Sequence, residues 1–410
     1  MKAAHPAGVT IEPIDGGVTA PAGFRAAGVA CGIKKTGALD LALIVADRPA
    51  TAAAVFTTNK AQAAPVLVSR EHLARSGGLA RAIVVNSGCA NACTGPEGMA
   101  VARSSADFVA SVVGCAAHQV LAASTGVIGV QLDLDKLRKG ALEAAQALSR
   151  DAHGDAARAI MTTDRQPKSA AVAVTTPAGT FRVGGMAKGA GMIEPHMATM
   201  LGFVTTDAAV AAPVLQRALR EAVDDTFNAI TIDGDTSTND TVFLLASGAA
   251  GVEIDETAYP AFVAALREVC GSLARAIVRG GEGATKLVAI TASGAVSEPE
   301  AKRAAQTMAN SLLVKTAIHG GDPNWGRLLA AAGRAGVAFD VEHATVRVGP
   351  VVLFNDGVPF DDRAPDAAAY LAGADLEIDV DLGAGGTHSA TVWTCDLSAE
   401  YVAINADYRT

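Results

Sequence analysis

Short apolar runs rich in β-branched residues alternate along this chain with glycine-bearing turns and with longer stretches of helical periodicity. That texture constrains the fold more than any other feature. The runs are too short to be helices and need neighbouring strands, while the periodic stretches each offer one apolar face to cover a sheet. "LDLALIVAD" (residues 39–47), "AAAVFTT" (52–58), "PVLVS" (65–69) and "RAIVVNSG" (81–88) read as strands. "EGMAVARSSADFVASVVG" (97–114) reads as an amphipathic helix, with Met99, Val101, Ala102, Ala106, Val109 and Val113 at helical spacing. "LDLDKLRKGALEAAQALS" (132–149) reads as another, with Asp133 and Asp135 near the end where the helix dipole favours them. Further helices are expected over 212–227, 259–278 and 297–311, the last with Ser297 and Glu300 in capping-box positions. Strands are expected over 241–248 and 285–294, and "TVRVGPVVLF", "ADLEIDVDLG" and "HSATVWTCDL" close the chain as strands.

The 410 residues hold the material of two or three domains, or of one large interwound fold. No short repeat, low-complexity tract or Ser/Pro linker divides them. The pattern predicts a mixed α/β protein with helices packed on sheets.

Composition excludes several classes of partner. A net charge of −9 disfavours nucleic acid and anionic membranes, and "KLRKG" (136–140), the densest basic stretch, reads as a solvated helix face. An aromatic content of 4% leaves little to stack on bases. No apolar run approaches the ~18–20 residues that span a bilayer. The first residues, with Glu12 and Asp15 and no apolar core, do not read as a signal peptide, so the cytoplasm is expected. Cys31, Cys89, Cys93, Cys115, Cys270 and Cys395 are scattered, as reduced thiols would be. Cys89 and Cys93 lack a second Cys/His pair at zinc spacing and read as small buried hydrophobes.

Two glycine-rich stretches invite comparison with phosphate loops. "GGEGATK" (280–286) is not G-x-x-x-x-G-K-[ST], and "GGMAKGAG" (184–191) is not G-x-G-x-x-G. Their glycines suit close backbone approach or positive φ instead.

"KGAGMIEPHMATML" (188–201) mixes two glycines, a lysine, a glutamate, a histidine and a threonine with apolar residues. A threonine hydroxyl is a poor nucleophile without a base beside it. When threonine is the first residue of a chain, its α-amine, titrating near ~7.7–8.0, is that base. Thr199 reaches that state only if the Ala198–Thr199 bond is cut, a cut its own hydroxyl can begin. On local sequence alone, strand packing is the simpler reading of this threonine.

"KGAGMIEPHMATML" closely resembles the self-cleavage motif of the ornithine acetyltransferase family, the bifunctional glutamate N-acetyltransferases of arginine biosynthesis. "NSGCANACTG" (86–95), "STGVIG" (124–129), "AIMTTD" (159–164), "TIDGDTSTNDT" (231–241), "GGEGATK", "GDPNWGR" (321–327) and "INADYRT" (404–410) resemble further blocks of that family, in family order. The resemblance spans essentially the whole chain.

It implies an α-β-β-α sandwich of the self-processing aminopeptidase and ornithine acetyltransferase type. It implies cleavage between Ala198 and Thr199 into an α chain, 1–198, and a β chain, 199–410, forming one intertwined fold and pairing as a dimer of αβ units. Thr199 matches the nucleophile, and Thr125 and Gly126 match the pair that stabilises the oxyanion. Substrate contacts carry over to Thr162, Lys188, Thr199, Glu282, Asn405 and Thr410, with Thr163 the alternative to Thr162. Lys188 suits a substrate carboxylate, Glu282 an ammonium group, and Asn405 both kinds of hydrogen bond. Arg165 and Gln166 depart from the family's threonine–aromatic pair. Glu194 and His196 suit shaping the cleavage turn better than turnover, and the aspartates of "IDGDTSTND" read as turn residues rather than metal ligands. The implied reaction moves acetyl from N2-acetyl-L-ornithine to L-glutamate. It needs no metal or tightly bound cofactor, and bifunctional members also accept acetyl-CoA. A monofunctional ornithine acetyltransferase without acetyl-CoA activity, a related amidohydrolase or aminopeptidase, and a binding protein that has lost the chemistry are the competing readings.

Overall fold

The computed structural model describes residues 8–194 and 200–407. They fall into two units, one within Met1–Asn228 and Asp235–Ile277, the other within Ala229–Gly234 and Val278–Arg409. The mixed α/β class expected from the sequence is the observed one.

The strands of the first unit are β1 (Thr10–Pro13), β2 (Phe24–Val29), β3 (Leu41–Phe56), β4 (Leu79–Cys89), β5 (Val120–Val127), β6 (Lys168–Thr176), β7 (Gly179–Lys188), β8 (Leu201–Thr206) and β9 (Thr241–Ala246). Its helices are α1 (Ala64–Ser76), α2 (Gly95–Val113), α3 (Leu134–Gln146), α4 (His153–Ala159), α5 (Ala212–Asp224) and α6 (Tyr259–Arg279), of which Val278 and Arg279 belong to the second unit. Among the described residues the nine strands form one sheet in the order β1-β6-β7-β8-β9-β3-β4-β5, with β2 paired to β3. The β8/β9 and β4/β5 pairs are parallel and the others antiparallel.

The central strands read as unbroken apolar runs because both faces of the sheet are buried. Ala42, Ile44, Ala46, Ile83, Val85, Leu121 and Ala123 face one core, which α4 completes with Ala156, Ala157 and Ala159. Leu41, Leu43, Val45, Ala82, Val84, Val120 and Ala122 face another, covered by Ala106, Val109 and Ala110 of α2 and Leu137, Ala141 and Ala144 of α3. On β8 and β9, Phe203 and Phe243 are fully buried with ring centroids 6.1 Å apart.

Three strand expectations need correction. Residues 39–47 and 52–58 are not separate strands but parts of β3, joined through the exposed Asp47, Arg48 and Pro49 where the register with β4 shifts. "PVLVS" is not a strand. It opens α1, with Pro65 at a helix start and Pro65, Val68, Ser69 and His72 buried at helical spacing. The period shows only when the window reaches His72. The helix seals the open edge of β5: the Ser69 hydroxyl donates to the Ala122 carbonyl and accepts from its N–H, both at 2.8 Å, and His72 Nδ1 lies 2.8 Å from the Val120 carbonyl.

The second unit holds β10 (Leu287–Ala295), β11 (Thr345–Val348), β12 (Val351–Asn355), β13 (Val358–Pro359), β14 (Asp375–Asp381) and β15 (His388–Cys395). Its own helices are α7 (Glu298–Ala309), α8 (Leu312–Gly320), α9 (Trp325–Gly333), α10 (Ala364–Leu371) and α11 (Ala399–Asp407). The six strands pair in the order β13-β12-β11-β14-β10-β15. "TVRVGPVVLF" is therefore two strands of a hairpin rather than one, the third correction. In β14, Leu376, Ile378 and Val380 alternate with more exposed residues and face a core that α7 covers with Ala301, Ala304, Ala305 and Met308. Ser297 caps α7, accepting from the Glu300 N–H.

The cysteines are free thiols, and burial pushes Cys31 and Cys270 up to about 12. Cys89 is buried as expected, but Cys93 is exposed. Among the described residues no helix is long and apolar enough to cross a membrane.

Candidate active site

Thr125 and Gly126 lie near the end of β5, where the backbone runs close against β4. Gly88 and Gly126 are register partners, and Gly126 has φ +127°. A Cβ at Gly126 would sit 2.4 Å from the Gly88 carbonyl carbon and 2.6 Å from the Cys89 nitrogen, so only glycine fits there. Side-chain amides brace the surrounding loops. Ser124 Oγ donates to Asn86 Oδ1 at 2.6 Å, and Asn86 Nδ2 donates to the Cys89 carbonyl at 2.8 Å. Asn239 Nδ2 donates to the carbonyls of Ala90 and Ser124 at 2.7 and 2.8 Å. The "NSGCANACTG" and "TSTND" blocks thus hold the end of β5 that carries Thr125 and Gly126.

Lys188 ends β7 and is buried with Thr125; its Nζ donates to Thr125 Oγ1 at 2.8 Å. An ammonium has no lone pair, so the threonine oxygen must accept and its own hydrogen is directed elsewhere. Asp164 lies just behind. Its Oδ1 accepts from Lys168 Nζ at 2.5 Å and from the Gly189 N–H at 2.8 Å, and its Oδ2 accepts from the Thr162 N–H at 3.1 Å. Burial alone would raise its pKa, but the charges of Lys168 and Lys188 and the Gly189 hydrogen bond outweigh that and hold it below the usual carboxylate range. Lys34 Nζ donates to the carbonyls of Leu39 and Met161, and burial lowers its pKa against the pull of Asp40 and Asp164.

In the second unit, Glu282 sits on the glycine loop before β10 and is buried. Asn405, on α11, donates from Nδ2 to Glu282 Oε2 at 2.8 Å and to the Tyr401 carbonyl at 3.0 Å. The segment between β15 and α11 fastens this loop. Asp396 accepts from the Thr285 N–H at 2.8 Å, the Thr285 hydroxyl at 2.6 Å and the Lys286 N–H at 3.0 Å, and lies 2.7 Å from His319 Nδ1. Burial works against ionisation of Asp396, but these hydrogen bonds prevail and hold its pKa low. Ser398 Oγ donates to the Gly283 carbonyl at 2.7 Å. A Cβ at Gly283 would meet the Tyr401 nitrogen at 2.5 Å, so this glycine is required by close approach and not by phosphate binding.

Of the residues singled out from the sequence, Thr125 and Lys188 meet in the first unit, and Glu282 and Asn405 in the second. Thr162 is tied to Asp164 through its backbone, with Thr163 beside it. Ala198, Thr199, His196 and Thr410 lie outside the described residues. The Glu194 carbonyl accepts from Thr236 Oγ1 at 3.4 Å. Of the "IDGDTSTND" aspartates, Asp233 accepts from the Tyr401 hydroxyl at 3.2 Å. Among the described residues no group of three His, Cys, Asp or Glu is arranged to hold a metal ion. Asp164, Lys168, Asp396 and Ser398 were not singled out from the sequence; the only local sign of them is the i,i+4 pairing of Asp164 with Lys168.

Comparison with known proteins decides the family. The family model described as "ArgJ family" matches residues 25–410. The chain belongs to the ArgJ family. It is 51% identical over 391 residues to the arginine biosynthesis bifunctional protein ArgJ of Nitratidesulfovibrio vulgaris, covering 95% of this chain and 99% of that one. It is 48% identical over 411 residues to the protein of the same name from Synechococcus sp., covering 97% and 99%. Among solved structures, ornithine acetyltransferase from Mycobacterium tuberculosis, complexed with ornithine, is 44% identical; the match covers 45% of this chain and 98% of that one, with a TM-score of 0.42.

Proposed function

We propose that the chain is a bifunctional acetyltransferase of arginine biosynthesis that cuts itself between Ala198 and Thr199 and then works through Thr199. The Thr199 α-amine takes the hydroxyl proton as Oγ1 attacks the acetyl carbonyl of N2-acetyl-L-ornithine. Thr125, through its hydroxyl, and Gly126, through its N–H, hold the oxyanion, a contribution of ~100–1,000-fold in rate per donor. The C–N bond breaks, the ornithine amine leaves with the proton from the Thr199 ammonium, and acetyl-Thr199 remains. The amine of L-glutamate then attacks that ester, giving N-acetyl-L-glutamate and freeing the hydroxyl. Acetyl-CoA as a second donor, and the absence of a tightly bound cofactor, rest on the family resemblance; the relatives' names say only that they are bifunctional.

The observation that carries this reading is the buried Lys188–Thr125 hydrogen bond, which leaves the threonine hydrogen to point at an oxyanion. The sheet supports the two-chain state. β8 and β9, which follow the cut, lie between β7 and β3, which precede it, so a cut between β7 and β8 leaves every ladder intact. Across that join Phe243 of β9 packs edge-on against Phe56 of β3, with ring centroids 6.0 Å apart. Glu282 accepts from Asn405 within the second unit, and its role towards a substrate ammonium rests on the family resemblance. Thr162 and Thr410 as substrate contacts and a dimer of αβ units rest on the family resemblance alone, and a cytoplasmic setting remains the expectation drawn from the sequence.

The purified protein should give two bands on a denaturing gel, and Thr199→Ala a single full-length band. Incubation with acetylornithine should yield N-acetylglutamate only when glutamate is present. Free acetate released equally with and without glutamate would make the protein an amidohydrolase instead.

A further inference from the structure

Asp164 is the only residue among those described here that joins three parts of the candidate site through one carboxylate: Thr162, Lys168 at the start of β6, and Gly189, which follows Lys188. Its side chain is fully buried, and that of Lys168 nearly so. Three lysines share this region. Lys188 and Lys168 act on Asp164 directly, and Lys34 feels Asp164, Asp40 and Lys188. Counting these five groups, the charge is one positive with Asp164 ionised and two positive without it.

The direction of the Lys188–Thr125 hydrogen bond depends on the charge of Lys188. As an ammonium, Lys188 donates, and the Thr125 hydrogen is aimed away from it. As a neutral amine, Lys188 has a lone pair and can accept that hydrogen, turning the threonine hydroxyl away from any oxyanion. A carboxylate close to a lysine favours the ammonium, and a second ammonium disfavours it. Lys168 and Asp164 therefore act on Lys188 with opposite sign.

We propose that Asp164 is a positioning residue that keeps Lys188 in its ammonium form and so fixes the Thr125 hydroxyl as an oxyanion donor, with Lys168 as the opposing charge. The inference rests on the reading of Thr125 and Lys188 as parts of the acetyl-transfer site. It assigns Asp164 no contact with substrate. Its hydrogen bond to the Gly189 N–H holds the backbone beside Lys188, and its charge sets which partner donates in the Lys188–Thr125 pair.

The test is the pH profile of kcat/KM for transfer from acetylornithine to glutamate, measured on the self-cleaved protein. Loss of the Lys188 ammonium should appear as an alkaline limb. In Asp164→Asn that limb should move to lower pH by about one unit or more. In Asp164→Glu, which keeps the charge but displaces it, the limb should return towards its original position even if kcat stays low. In Lys168→Met, which removes the opposing ammonium, the limb should move to higher pH. A purely structural role for Asp164 lowers kcat without these opposite shifts. Unmoved limbs in Asp164→Asn and Lys168→Met, or in Lys168→Met alone should Asp164→Asn not fold, would overturn the inference. Lys188→Met separates the two claims: full transfer activity in that variant would overturn the site reading itself, whereas a severe loss there with unmoved limbs elsewhere would overturn only the role of Asp164.

Discussion

Replacing Gly126 with alanine should damage both stability and turnover, by amounts the backbone geometry sets. The new Cβ would lie 2.4, 2.6 and 2.7 Å from the Gly88 carbonyl carbon, Cys89 nitrogen and Gly88 Cα, all backbone atoms of β4. No side chain can swing aside, so β4 and β5 must part by roughly 1 Å to restore ordinary contact, at about 1–3 kcal/mol of overpacking. The φ of +127° adds about 1–3 kcal/mol of backbone strain for an L residue. The expected loss is about 2–6 kcal/mol of unfolding free energy. The same movement displaces the Gly126 N–H, and a misplacement of that size costs ~100-fold in rate. Gly129→Ala is the matched control: its φ is +77°, but no atom lies within 4 Å of its Cβ, so only about 1 kcal/mol is expected. Urea unfolding and steady-state acetyl transfer on both variants supply the comparison. If Gly126→Ala matched Gly129→Ala in stability and rate, the close approach of β4 would not constrain this position.

The low pKa values of Asp164 and Asp396 make a signed statement about acid stability. A depressed folded-state pKa contributes stability above the unfolded value of ~3.9, and that contribution is lost as pH falls through the folded value, so unfolding should set in below about pH 4. Asp396→Asn should lower stability at neutral pH by about 2–4 kcal/mol and flatten the acid loss, as read by urea titrations at several pH values. Ser69→Ala strips the Ala122 N–H and carbonyl of their partner at the β5 edge and should cost about 2–3 kcal/mol in the same assay. Glu282→Gln should raise KM for acetylornithine about tenfold or more, because a charge-assisted hydrogen bond to an ammonium is lost; an unchanged KM would remove Glu282 from the substrate site.

How far the fold was legible in the sequence depended on which faces were buried. β14 is buried on one face and alternates cleanly, so it was read correctly. β4 is buried on both, and its unbroken apolar run was still short enough to mark a strand. "PVLVS" has the same texture, and its helical period shows only in a window that reaches His72, whose partner on the β5 edge lies 48 residues away. The site divides in the same way. Thr125 and Gly126 lie at the end of β5 in a stretch whose sequence reads as an ordinary turn, and only the family resemblance marks them. Asp164 and Asp396 are not legible locally because the partners that tie them to the site are remote: Gly189 lies 25 residues from Asp164, and Thr285 lies 111 from Asp396. The i,i+4 pairing of Asp164 with Lys168 is the one local mark, and it looks like an ordinary ion pair.

Intact mass measurement of the protein mixed with acetylornithine in the absence of glutamate tests the central claim most directly. The account expects two chains, with the one beginning at Thr199 heavier by a single acetyl group, and expects that mass to revert when glutamate is added. A single uncut chain, or an acetyl group found anywhere other than on Thr199, would contradict it.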